Sequence, residues 1–387
     1  MMTPYHSADR MQGIQPFRVM ELLARARRLE AEGRDIVHME IGEPDFPTPE
    51  PVVRAVTRAI AKGDVHYTPA TGLSVLRDAI AGFYRQRYGV EVDAARVVVT
   101  PGASGALLLV LGVILNPGQS VLMADPGYPC NRNFVRFLEG RSLAVPVTAD
   151  SDYQLTAEIV ARHWDETTRA VLVASPSNPT GTLIPQAELR AIHEIVQQRG
   201  GILIVDEIYH GLVYKGKAQT ALALDGDVFV INSFSKYFGL TGWRIGWMVA
   251  PQAAIADLDK LAQNLFLAAP TPAQYAALAA FEPETRRILE QRRAAFKQRR
   301  DYLLPALRGL GFDIPVNPQG AFYLYANCER FTDDSLQFAE TLLEQVGIAV
   351  TPGLDFGSNQ AEKHLRFAYT TSMERLEEGI RRLKNYL

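Results

Sequence analysis

The chain of 387 residues has only two cysteines, Cys130 and Cys328, too few for a disulfide framework. They are expected as thiols in a reducing compartment. Neither sign of charge prevails. With 40 basic and 43 acidic residues the net charge is −3, which carries no signal for nucleic acid or a membrane surface. Long hydrophobic runs are missing as well. The longest, residues 106–115, is too short to span a bilayer. Residues 1–12 are polar and lack the apolar core of a secretory signal. There is no internal repeat and no low-complexity segment. What remains is the expectation of a cytoplasmic globular protein of roughly two to three domains with ample core.

What is there is an alternation. Apolar, mostly β-branched runs at 97–99, 121–123, 170–173, 202–205, 228–231 and 245–249 read as strands. Helical patterns fall between them, as at 73–88 and 186–199. Near-continuous apolar strands suit burial on both faces, hence a mainly parallel sheet between two helical layers. After about residue 285 the pattern changes. A segment at 284–308 rich in Arg, Glu, Gln and Ala predicts a long connecting helix. Short strands at 321–325 and 365–368 and helices at 335–346 and 373–386 follow. The fold class expected is therefore α/β, a three-layer α/β/α large domain with a mainly parallel sheet, plus a smaller α+β domain. The boundaries expected are 1–48 for an N-terminal arm that packs with the small domain, 49–285 and 286–387. A helix is expected at 17–32.

Chemistry concentrates after the strands. Lys236 lies in Ser233-Phe234-Ser235-Lys236-Tyr237-Phe238-Gly239-Leu240-Thr241-Gly242-Trp243-Arg244, just past the run 228–231. A lysine that forms a Schiff base must lose its proton, which desolvation and nearby cations favour. Arg244, Ser233 and Ser235 suit a phosphate group. A reactive lysine beside a phosphate pocket points to pyridoxal phosphate (PLP). A surface lysine in a glycine-containing loop is the plainer alternative.

Four more sites follow strands in the same way, where ligands bind in open α/β sheets. Asp206 closes the run 202–205 and would keep a pyridine nitrogen protonated, or else cap a helix. Tyr209, one short turn later, could hydrogen-bond a phenolic oxygen on such a ring, while Glu207 and His210 read as structural. Asn178 sits in the turn Ser175-Pro176-Ser177-Asn178-Pro179-Thr180-Gly181. Thr100-Pro101-Gly102-Ala103-Ser104-Gly105 offers free backbone amides to an anion at a helix start. Tyr128, in Asp125-Pro126-Gly127-Tyr128-Pro129, could stack on a planar ring or simply fill a turn. Five sites converging on one crevice are far less probable by chance than any one of them.

These residues, with Ile41-Gly42-Glu43-Pro44-Asp45-Phe46, His66-Tyr67-Thr68-Pro69-Ala70-Thr71-Gly72 and Leu365-Arg366-Phe367, resemble the fold type I PLP-dependent aminotransferases of class I/II. The resemblance covers nearly the whole chain. It implies that Lys236 carries the cofactor and shuttles a proton, that Asp206 pairs with the pyridine nitrogen, and that Asn178 and Tyr209 hold the phenolic oxygen. It implies that Tyr128 stacks on the ring, and that Ala103, Ser104, Ser233, Ser235 and Arg244 bind the phosphate. Arg366 would clamp the substrate α-carboxylate beside Gly42 and Asn178. Tyr67 would reach the phosphate in a neighbouring subunit, which implies a homodimer with shared active sites. Amino acids and 2-oxo acids are the partners implied, with no nucleic acid, membrane or metal.

A carbon–sulfur β-lyase uses the same scaffold and stays open as the alternative. A PLP-sensing transcription regulator needs a DNA-binding domain for which too few residues precede Gly42. For the substrate, residues 106–116 hold no Lys or Arg to read an acidic side chain. Arg18 could supply charge from elsewhere, and Ile14, Phe17 and Ile41 could line an apolar pocket or serve as core. A neutral or apolar amino donor with 2-oxoglutarate as acceptor is the expectation.

Overall fold

The computed structural model describes residues 5–224 and 226–387. Its strands are β1 (Val37–His38), β2 (Val97–Thr100), β3 (Ser120–Asp125), β4 (Arg141–Pro146), β5 (Thr168–Ala174), β6 (Ile202–Asp206), β7 (Val228–Ser233), β8 (Gly246–Val249), β9 (Tyr323–Asn327), β10 (Ile348–Ala349), β11 (Thr351–Pro352) and β12 (His364–Ala368). Five helices of the first half matter below: α1 (Arg18–Ala31), α2 (Glu50–Ala61), α3 (Ser74–Tyr88), α4 (Gly102–Ile114) and α5 (Pro129–Phe137).

A seven-stranded sheet runs in the order β2-β8-β7-β6-β5-β3-β4. Strands β3 to β7 pair in parallel, and β8 is antiparallel to both β7 and β2. β2 therefore points the same way as the parallel strands. The C-terminal ends of β2, β3, β5, β6 and β7 lie along one edge. The apolar runs arise because both faces are covered. Alternate residues of β2 go to opposite layers. Val97 and Val99 pack with Tyr84 and Trp247, and Val98 packs with Leu107 and Met248.

Two elements of this sheet layer escape the sequence pattern. β4 is an edge strand with mostly exposed side chains, so no apolar run marks it. α5 is short and begins on Pro129, within a stretch that reads as a turn.

Beyond residue 280 a single helix of 28 residues, Pro283–Leu310, ends at Gly311 with φ 103°, a left-handed stop suited to glycine. It leads to a three-stranded sheet in the order β11-β12-β9. The strand expected at 321–325 is displaced to Tyr323–Asn327, because Ala321 takes a positive φ of 57° and turns the chain first. The helix expected at 335–346 is an α-helix at Ser335–Thr341 that finishes as a π-helical turn, Leu342–Val346. The N-terminal segment joins this part of the molecule. β1 pairs in parallel with β10, and Leu22, Ala26 and Leu29 of α1 pack with Ile36, Leu343 and Ala349. No helix among the described residues is long and apolar enough to cross a membrane.

Candidate active site

Lys236 follows β7 on a segment pinned by aromatic packing. Phe234 is fully buried, with ring centroids 4.7 Å from Trp247, 4.9 Å from Phe238 and 5.4 Å from Phe281. This anchor fixes where the lysine emerges. Its Nζ donates to the carbonyl of Gly42 at 2.8 Å, which brings the N-terminal segment over the sheet edge. Burial pushes the Lys236 ammonium down to about 8. Glu43 opposes the shift, while Arg366 and Arg244 reinforce it. The neutral amine is thus accessible near neutral pH, as a nucleophilic or basic lysine requires.

Asp206 is buried at the end of β6. Its Oδ1 accepts the Ile208 N–H at 3.1 Å, and burial raises the carboxyl to about 6 against the pull of Ile208 and Lys236. It does not cap a helix. The next helical turn, His210–Leu212, is a short 3-10 segment preceded by Tyr209 with no side-chain cap. Asp206 is a buried carboxylate with one backbone donor, placed to receive a cationic group.

Opposite these, Arg366 on β12 packs against two rings, its Cζ 4.2 Å from the Tyr323 centroid and 4.8 Å from that of Phe356. Nη1 donates to Asn178 Oδ1 at 3.0 Å. Nη2 donates to Thr351 Oγ1 at 3.2 Å and to the Glu40 carbonyl. The buried Nε has no hydrogen-bond partner among the described residues. The hydroxyls of Tyr209 and Tyr323 are 2.9 Å apart. Gly42 is required here, since a Cβ at that position would stand 1.9 Å from the Tyr323 hydroxyl. Lys236, Asn178, Arg366, Tyr209 and Gly42 therefore meet through Tyr323, a residue without an assigned role in the sequence reading.

The anion corner is built from the start of α4. Gly102 has φ 72°, and a Cβ there would stand 2.6 Å from Arg244 Nη2. The Arg244 guanidinium thus lies against the first turn of α4, where the amides of Ala103 and Ser104 lack intrahelical partners. Gly246 lets β8 pass this point, for its Cβ would meet the Ala103 nitrogen at 2.8 Å. Arg244 holds φ 52°, a left-handed conformation that costs about 1–2 kcal/mol for a residue with a side chain. Ser233 and Ser235 are buried beside it, the Ser235 N–H donating to Ser233 Oγ at 3.0 Å.

Tyr128 is half-buried and meets Phe17 edge-on at 6.4 Å. Tyr67 is not part of the cluster: it is 86% exposed. Glu207 and His210 are structural. The Glu207 carboxylate accepts the Ala221 N–H at 2.7 Å and the Thr220 hydroxyl at 3.0 Å. Besides Tyr323, sequence reasoning missed Glu40, Thr351 and Phe356. Two of these act through a carbonyl or a hydroxyl and leave no motif. Cys130 and Cys328 are free thiols. No group of three or more His, Cys, Asp or Glu among the described residues could hold a metal ion.

A buried amine of depressed basicity, a buried carboxylate facing it, a clamped arginine and an anion corner at a strand-to-helix turn fit a group that carries an aldehyde, a pyridine nitrogen and a phosphate. Fold and site together define a PLP-dependent enzyme of fold type I. The model of the aminotransferase class I and II family matches residues 34–383, and the chain belongs to that family. It is 38% identical over 383 residues to the (5-formylfuran-3-yl)methyl phosphate transaminase of Methanocaldococcus jannaschii, covering 98% of this chain and 99% of that one. It is 39% identical to the valine–pyruvate aminotransferase of Mycobacterium tuberculosis, over 97% of each chain. Among solved structures, the Thermus thermophilus aspartate aminotransferase with maleate superposes with a TM-score of 0.94 at 34% identity, over 99% of this chain and 100% of that chain. The chain is a transaminase.

Proposed function

We propose that this transaminase moves the amino group of a neutral or apolar L-amino acid to 2-oxoglutarate by a ping-pong mechanism. The observation that carries this reading is the contact of Lys236 Nζ with Gly42, in one cluster with Arg366 and Asn178. When bound, PLP supplies an aldehyde for the amino group and a ring that stabilises negative charge at the substrate Cα.

In this reading the protein's own groups divide the labour. Arg366 holds the α-carboxylate through its planar fork, with Gly42 and Asn178 beside it. Its packing against Tyr323 and Phe356, with the bonds to Asn178 and Thr351, holds that fork in place. Lys236 would anchor the cofactor and serve as the general base and acid that moves the substrate Cα proton. Asp206 would keep the pyridine nitrogen protonated. Tyr209 and Asn178 would hold the ring oxygen, with Tyr128 against the ring. Ala103, Ser104, Ser233, Ser235 and Arg244 would hold the phosphate. Phe17, Ile14 and Ile41, all half-buried, supply the apolar wall for the donor side chain. Valine–pyruvate exchange in one relative accords with a neutral donor.

The exposure of Tyr67 supports a homodimer, in which that side chain completes the phosphate site of the neighbouring subunit. A cytoplasmic location and a division into an arm of 1–48, a large domain of 49–285 and a small domain of 286–387 belong to the same reading. The pairing of β1 with β10 supports placing the arm with the small domain.

The test is a half-reaction. Holoenzyme is mixed with single amino acids and no acceptor, and 2-oxo acid and ammonia are counted per active site. One equivalent of oxo acid, no ammonia, and retention of the amino group on the cofactor are expected. Continuing release of pyruvate and ammonia from a cysteine conjugate, with no transfer from any amino acid, would overturn the reading in favour of β-lyase chemistry.

A further inference from the structure

Arg132 lies in the first turn of α5, four residues after Tyr128, the extended residue at which that helix starts. It lines a pocket shared with Tyr128, Asn178 and Phe356, and a second one shared with Phe17, Arg18 and Leu354. Its guanidinium is half-buried, yet it makes a single hydrogen bond among the described residues, from Nη2 to the Asp355 carbonyl at 2.6 Å. It forms no ion pair among the described residues. The two carboxylates that act on it are both engaged elsewhere. Asp355 accepts the N–H groups of Arg18 and Val19 at 3.1 and 2.9 Å. Asp125 accepts the N–H and hydroxyl of Ser358, each at 3.0 Å.

The two carboxylates act on Arg132 without a direct ion pair, so most of its partly desolvated N–H donors are left open, and an anionic ligand can complete them. Its position says which anion. Arg366 packs against Phe356, and Arg132 bonds the adjacent residue, Asp355. The two cations therefore stand at either side of one short stretch of wall. A substrate with its α-carboxylate at Arg366 would extend a second acidic group towards Arg132. No Lys or Arg of residues 106–116 is there to take that role.

We propose that Arg132 is the specificity-determining residue that reads a terminal anionic group on the substrate side chain. For the acceptor proposed above, that group is the distal carboxylate of 2-oxoglutarate. A phosphate monoester presents the same chemistry. The inference rests on the transaminase reading.

The experiment compares wild type with Arg132→Gln and Arg132→Lys, using one neutral amino donor and two acceptors, 2-oxoglutarate and pyruvate. The ratio of kcat/KM for 2-oxoglutarate over pyruvate is expected to fall about ten- to a hundredfold in Arg132→Gln, and to recover in part in Arg132→Lys. Glycolaldehyde phosphate against glycolaldehyde, in the same variants, shows whether phosphate rather than carboxylate is the anion read. A binding readout stands apart from turnover: glutarate should raise the wild-type melting temperature more than butyrate does, and Arg132→Gln should abolish the difference. An unchanged acceptor ratio, or an equal loss of both acceptors with glutarate protection intact, would overturn the proposal. Wild type that binds glutarate through Arg132 but transfers no amino group would instead overturn the transaminase reading.

Discussion

Asp206 and Glu207 are adjacent, both fully buried, and both raised by burial, to about 6 and about 8. They face different regions. Glu207 looks away from the substrate, where the Ala221 N–H and the Thr220 hydroxyl bond one oxygen and His210 Nδ1 lies 3.3 Å from the other. Burial pushes His210 down to about 3, so this is a neutral pair tying loop to loop. Asp206 looks into the cleft, with one backbone donor and, among the described residues, Lys236 as the cation acting on it. The difference teaches how to tell a structural buried acid from a functional one. In the structural region one carboxylate oxygen takes two donors within the fold, while Oε2 has only the neutral His210 ring beside it and no hydrogen bond among the described residues. In the cleft Asp206, Lys236, the Nε of Arg366 and Arg132 are left short of partners, a deficit that a ligand can fill.

The comparison breaks most visibly at Lys236. Lys236→Ala should lower amino-group transfer at least about 10⁴-fold, since both the covalent anchor and the proton-moving base are lost. Loss of the visible absorbance of the lysine-bound cofactor, with an unchanged far-ultraviolet circular dichroism spectrum, would mark the effect as chemical. Normal turnover would sink the assignment.

Arg366→Ala should come next. Removing one partner of a buried charge pair costs about 2–5 kcal/mol, so kcat/KM for amino acids should fall roughly 30- to 3,000-fold. Arg366→Lys should recover little of this, because an ammonium cannot reproduce the fork held against Tyr323 and Phe356. Full recovery by lysine would show that only charge matters.

Asp206→Asn sharpens the comparison through stability. Raised from 3.8 to about 6, the Asp206 carboxyl binds its proton more tightly in the folded state. Its contribution favours folding below about pH 4 and is lost as pH rises through about 6. The asparagine variant of the cofactor-free protein should therefore be more stable than wild type at pH 7, by about 1–3 kcal/mol, with the gap closing at pH 4. Urea unfolding at the two pH values checks this, and a variant less stable at pH 7 would contradict it. Glu207→Gln should have the smallest effect on catalysis, within a few-fold of wild type. Its mark should be in stability: the Glu207 carboxyl, raised from 4.5 to about 8, is subject to the same linkage, so the glutamine variant should gain stability relative to wild type between pH 4 and pH 7, less about 0.5–1.5 kcal/mol at both for weakened bonds to Thr220 and Ala221.

Much of this was legible in the chain itself. Strands β2, β3, β5, β6, β7 and β8 announce themselves as apolar runs because helices cover both faces of the sheet. Lys236, Asp206, Asn178 and the turn at Gly102 stand out because each follows such a run. β4 was hidden because an edge strand shows no apolar run, and α5 because it starts on a proline within a turn. Tyr323 and Thr351 were not assigned to the site because their hydroxyls reach it from distant segments, through pairing of β9, β11 and β12. Arg132 was passed over because its meaning lies in unused N–H donors, which only the packing around Asp125 and Asp355 reveals.

The most direct test of the central claim sets the two neighbours side by side. Single-turnover rates of amino-group transfer should be measured for Asp206→Asn and Glu207→Gln, loaded with PLP under the same conditions. The account predicts a fall of about a hundredfold or more for Asp206→Asn, the scale expected when a group that tunes the reacting centre is lost, and a near-normal rate for Glu207→Gln. Equal rates in the two variants, or the larger loss in Glu207→Gln, would contradict the division between a functional and a structural carboxylate.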